Sequence, residues 1–102
     1  MNKNDQDYFN ILRKINNKPN LTQRELAKEL GFSLGKLNYC LNALKNKGLV
    51  KINNFKKNPN KIGYIYLLTP KGLSIKTKLT LNFMRRKMKE YDDLRLEIKN
   101  NS

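Results

Sequence analysis

The 102-residue sequence predicts a mostly α domain of the α+β class, with three short helices, a small β-hairpin and a long C-terminal helix. Three observations predict it. Apolar residues recur at steps of three and four up to Leu44 and again beyond Pro70, the period of an amphipathic helix. "LVKINNF" and "IGYIYLL" are short, rich in β-branched and aromatic residues, and separated by a turn-forming run, as hairpin strands are. Threonine, serine and glycine stand where helices of this length must start and stop.

The first helix runs from about Asp5 to Asn16, with Tyr8, Ile11, Leu12 and Ile15 on one face. Asp5 and Asp7 suit the positive end of its dipole. "NNKPN" ends it. In "LTQRELAKEL" Thr22 and Glu25 have the spacing of a capping box, and Leu21 and Leu26 that of a hydrophobic staple. Leu26, Ala27 and Leu30 then face inward, and Gly31 stops the second helix after about two turns. A third helix begins at once. Ser33 caps it, Phe32 and Leu37 staple it, Leu34, Leu37, Leu41 and Leu44 form its buried seam, and Gly48 supplies the left-handed end.

The opposite face of that third helix carries Lys36, Asn38, Tyr39, Asn42, Lys45 and Asn46, with no acid among them. Lys36 occupies the position held by Glu25 in the preceding helix, where the dipole favours an anion. Between the two strands, "KKNPNK" (Lys56 to Lys61) is too polar and turn-rich to be anything but a loop. Thr69 and Pro70 are suited to the cap and first position of a last helix reaching about Lys99. At 1.5 Å per residue that helix is roughly 45 Å long, more than a core this small requires. Leu81, Met84, Met88, Tyr91 and Ile98 form a heptad-like seam along it, interrupted by Arg95, while Leu79 and Phe83 add a second apolar face. One small domain cannot cover both faces, so the seam is expected to pair with a second copy. The chain divides into a domain at 1–69 and a dimerisation helix at 70–102.

Charge narrows the partners. The chain has 22 Lys and Arg against 8 Asp and Glu, a net charge of +14. From Leu30 to Lys89 there are fourteen bases and no acid. Ordinary surfaces mix the two signs, and a one-signed field attracts a polyanion. Nucleic acid fits better than an anionic membrane surface. With one cysteine, Cys40, and no histidine, neither a disulfide framework nor a metal-ligand set can be assembled. Cys40 borders the buried seam and reads as a small apolar filler, with a redox role the lesser alternative. Without histidine, mid-chain paired carboxylates or a phosphate-cradling glycine loop, an enzyme is not expected, nor any cofactor. No apolar stretch is long enough to span a membrane, which leads to the expectation of a cytoplasmic protein.

Two helices joined by a short glycine-containing turn make a helix-turn-helix, and a following hairpin with a basic tip makes its winged form. The expected recognition helix is about 33–47. Ser33, Gly35, Lys36, Asn38, Tyr39 and Asn42 are its candidate contacts to duplex DNA, since asparagine pairs bidentately with adenine and lysine donates to guanine. Ser33 and Tyr39 can donate to phosphate, and helix N-terminal amides also favour an anion. Lys56, Lys57, Asn58 and Lys61 on the wing are placed to follow the backbone or enter a minor groove. The alternative is a winged scaffold that binds RNA or a protein, with Tyr64 and Tyr66 as the candidate stacking rings.

"LTQRELAKELGFSLGKLNYCLNALKNKGLVK" and "LLTPKG" resemble the MarR family of winged-helix transcriptional regulators over about Asn20 to Gly72. The first is like the family's helix pair ending in K-G-L-V, and the second like its strand-to-helix L-T-x-x-G. "LGKLNYCLNALKNKGLVKI", "NPNKIGYIYLLTPKG" and "RRKMKEYDDL" further resemble a small subgroup associated with exopolysaccharide gene clusters. The resemblance implies a dimeric DNA-binding regulator near polysaccharide-synthesis genes, with Ser33, Lys36, Asn38, Tyr39 and the wing lysines on DNA. Two departures accompany it. The chain is shorter than is usual for the family, so the interface is expected to lean on the last helix and a small-molecule pocket has little room. The wing has Asn60 and Lys61 where the family commonly has an acid and an arginine, leaving a minor-groove arginine contact without its residue.

Overall fold

The computed structural model describes residues 3–53 and 65–101. Helix α1 spans Lys3–Asn17, α2 Gln23–Leu30 and α3 Leu34–Asn46; strands β1 (Val50–Asn53) and β2 (Ile65–Leu68) follow, then helix α4 (Pro70–Asn101). The order matches the sequence expectation, with α1 starting two residues earlier than Asp5 and α4 ending two later than Lys99. The strands pair antiparallel, Val50 opposite Leu68 and Asn53 opposite Ile65. Thr22 also bridges Ile65, so the segment before α2 adds a short third lane to the sheet.

Local chemistry explains the helix ends. The Thr22 hydroxyl accepts from the Glu25 N–H at 3.3 Å, and a Glu25 carboxylate oxygen accepts from the Thr22 N–H at 3.2 Å. The capping box is therefore complete. Thr22→Ala should cost about 1 kcal/mol, read as a lower midpoint in urea. Ser33 accepts from the Lys36 N–H at 3.1 Å. At the far end of α3, Gly48 N–H bonds to Lys45 O at 2.9 Å and Leu49 N–H to Leu44 O at 2.9 Å. These are the paired bonds of a Schellman motif, and Gly48 provides the left-handed residue it requires, with φ 73°. Between α1 and α2, Lys18 donates to Glu29 at 2.7 Å, and that bond holds the Glu29 carboxyl below its ordinary range.

One core joins the first three helices to the sheet. Ile11, Leu12 and Ile15 of α1 pack with Leu26 and Ala27 of α2, Leu37, Cys40, Leu41 and Leu44 of α3, and Leu49, Val50 and Tyr66. Leu34 departs from the expected seam, being 44 % exposed. A helical side chain leans over the turn before its own Cα. At the first position of α3 there is no earlier turn to lean on, and Leu34 projects past the core's edge. Phe9 is buried although the α1 face expected from the sequence omitted it. Its ring lies 5.8 Å from Phe83, so it serves a separate contact with α4. Leu79 also packs toward the core. Beyond these residues α4 runs clear of the body, giving extents of 62 × 25 × 21 Å.

Candidate nucleic-acid interface

The core grips α3 by Leu37, Cys40, Leu41 and Leu44, and this leaves the opposite face outward. Ser33, Gly35, Asn38, Tyr39 and Asn42 are all exposed there, Tyr39 most clearly at 68 %. Lys45 and Asn46 extend the same polar surface. A Cβ built at Gly35 would meet nothing within 4 Å, so no neighbour in the described chain demands a glycine there. Its bare backbone instead leaves the start of α3 open to close approach, beside the Ser33 cap. An anion at this point would meet backbone N–H groups and the positive end of the helix dipole.

Lys36 is the member of the set whose setting differs from expectation. The sequence offered no acid to balance this face, but the fold brings one from α1. Lys36 Nζ lies 3.2 Å from the Asp7 carboxylate and 4.1 Å from the centre of the Phe32 ring. It is half-buried, whereas Asn38 and Tyr39 are open. The cation at the start of α3 is thus compensated across the tertiary structure, which a reading of α3 alone does not reveal.

Gln23 joins the surface unannounced by the sequence pattern: its Nε2 lies 3.5 Å from Asn38 Oδ1, so the amides of α2 and α3 stand side by side. Lys51 on β1 is exposed and carries the positive surface toward the wing. The wing residues Lys56, Lys57, Asn58 and Lys61, together with Tyr64, lie outside the described residues. Tyr66 is 7 % exposed and belongs to the core, so it offers no open ring for base stacking. Cys40 is buried as well. Burial pushes its thiol up, Asp7 adds to the effect and Lys36 opposes it, so the group stays protonated at neutral pH.

On α4 the two apolar faces have separate fates. Leu79 and Phe83 turn to the body, while Leu81, Met84, Met88, Tyr91 and Ile98 remain between 48 % and 71 % exposed. Leu94 and Leu96 are open too. Among the described residues no three His, Cys, Asp or Glu side chains gather as a metal site, and no helix is long and apolar enough to cross a membrane.

A trihelical core with an antiparallel pair after α3 and a polar, outward α3 has the winged helix-turn-helix fold, here followed by a long helix. Residues 9–51 match the family model described as winged helix-turn-helix DNA-binding. Among solved structures, the chain is similar to Staphylococcus aureus MarR in complex with salicylate and kanamycin, at a TM-score of 0.73 and 20 % identity, over 85 % of this chain and 57 % of that one. It is similar to the reduced form of MarR from E. coli at a TM-score of 0.61 and 33 % identity, over 71 % of this chain and 52 % of that one. It is also similar to the transcriptional repressor CouR bound to a 23-mer DNA duplex, at a TM-score of 0.63 and 26 % identity, over 69 % of this chain and 48 % of that one. The chain thus spans about half the length of these proteins. No curated protein sequence matches it.

Proposed function

We propose that the protein is a dimeric, sequence-specific DNA-binding transcriptional regulator of the MarR type. The observation that carries this reading is the outward face of α3, where Ser33, Gly35, Asn38, Tyr39 and Asn42 are open while the leucines behind them are sealed in the core. A helix so mounted can enter a major groove as a rigid unit, its first two turns toward base edges and its capped N-terminus toward phosphate. The net charge of +14 supplies the attraction. The likeness to a repressor bound to duplex DNA supports the same partner. Asn38 and Asn42 read adenine edges, Ser33 and Tyr39 hold phosphates, and Lys36 reaches the backbone from its Asp7 tether. The wing lysines, Lys56, Lys57 and Lys61 with Asn58, add contacts along the strand.

The exposed seam of α4, from Leu81 through Met84, Met88 and Tyr91 to Ile98, joins two copies. Their recognition helices then meet successive major grooves about 34 Å apart on a two-fold site. On the sequence resemblance, the regulated genes belong to polysaccharide synthesis. Duplex titrations between about 50 and 200 mM salt test the DNA reading, with a slope expected for about six to ten phosphates per dimer. Asn38→Ala should cost about 1–3 kcal/mol on the preferred site, relax choice at one base step and leave the salt slope alone. Equal weakening on every sequence would remove Asn38 from base reading.

A further inference from the structure

We propose that residues 69–72 clasp residues 47–49, and that this clasp sets the spacing between half-sites by fixing the angle between α3 and α4. The inference rests on the dimeric DNA-binding reading above. Three consecutive carbonyls in the turn leaving α3 each accept a hydrogen bond from the start of α4 or the residue before it. Lys71 Nζ donates to Lys47 O at 3.1 Å, Thr69 Oγ1 to Gly48 O at 2.5 Å, and the Thr69 N–H to Leu49 O at 3.1 Å. The same Thr69 hydroxyl accepts the Gly72 N–H at 3.0 Å. One side chain therefore caps α4 and ties it to the exit of the recognition helix.

Gly72 closes the clasp. It is buried, and a Cβ there would overlap the Leu49 carbonyl. The first turn of α4 rests on backbone, which has no rotamers with which to adjust. The two sequence signatures that bracket the hairpin, "KGLV" and "LTPKG", are thus the two halves of one contact. Further along, Phe83 rests on Phe9 and gives α4 a second point of support.

Two supports fix the direction of a lever. From Pro70 to Ile98 the helix is about 40 Å long at 1.5 Å per residue. A tilt of about 5° at the clasp moves its far end by about 3–4 Å, close to the rise of one base pair. Small changes at Thr69 and Lys71 are therefore magnified into the distance between two recognition helices, while each helix keeps its own contacts.

The test compares the full wild-type chain with Thr69→Val/Lys71→Gln and with Lys71→Gln alone. Each is titrated with duplexes carrying one half-site, or an inverted pair at the preferred spacing and at one and two base pairs more. Wild type should favour the preferred spacing by about 30-fold or more, as expected when both heads engage together. The double variant should retain single half-site binding within about threefold while its spacing preference falls below about threefold. Lys71→Gln should fall between, and it carries the test if the double variant fails to unfold cooperatively. Any loss of attraction from the lysine charge lowers every duplex alike and cancels in the ratio. A folded variant with the full wild-type spacing preference would overturn the clasp's role. If wild type itself binds paired and single half-sites equally, the dimeric reading fails, and the inference with it.

Discussion

Lysine at both Met84 and Met88 should leave the domain folded, separate the two copies, and weaken binding to a two-fold DNA site by about 100-fold or more. Both methionines are more than half exposed on α4, 52 % and 62 %, and touch no part of the core. A single copy loses nothing when they become polar. In the proposed dimer each occupies an apolar seam, where burying a methionine contributes about 1.5–3 kcal/mol and burying an unpaired ammonium is strongly unfavourable. Lysine is chosen over an acid because it adds positive charge. Any loss of DNA affinity then arises despite better electrostatics, and points to the second copy. Sedimentation equilibrium reads the mass directly. A variant that still sediments as a dimer would remove this face from the interface.

Gly72→Ala should be among the most destabilising small substitutions in the chain. Helix propensity alone predicts the reverse, since alanine is worth about 1 kcal/mol more than glycine inside a helix. The contact opposes it. The added methyl would overlap the Leu49 carbonyl, and both partners are backbone, so α4 must lift away from the turn after α3. That movement breaks the bonds from Thr69 to Gly48 and Leu49. The net loss should be about 3 kcal/mol or more, a large share of a small domain's stability. Urea unfolding followed by circular dichroism measures it. A variant as stable as wild type would show that the close approach of α4 to Leu49 does not exist in solution.

The features that were legible in the sequence are those written within a few residues of one another. The Thr22–Glu25 box, the Ser33 cap, the glycine ends at 31 and 48 and the Thr69–Pro70 start all depend on spacings of four residues or fewer. So does the leucine seam of α3, except at Leu34, where the end of the helix rather than its period decided exposure. The features that were hidden join distant segments. Asp7 reaches Lys36, Phe9 meets Phe83, Gln23 stands beside Asn38, and Lys71 holds Lys47. Each partner is polar or aromatic in a way that has an adequate local explanation, so nothing nearby signals the pairing. The candidate site was legible as a face because burial on one side of a helix dictates exposure on the other. The division of labour within it, with Lys36 tethered and Asn38 open, was settled by tertiary contacts.

Recovery of bound fragments from a random duplex pool at about 150 mM salt separates base reading by α3 from attraction by charge, because at that ionic strength charge alone no longer holds a weak complex well. A dimer that places its two α3 helices in successive major grooves should enrich a two-fold motif with half-sites about 10 base pairs apart. Retained but unenriched DNA would contradict base reading, leaving a positively charged winged domain that holds duplexes without reading them.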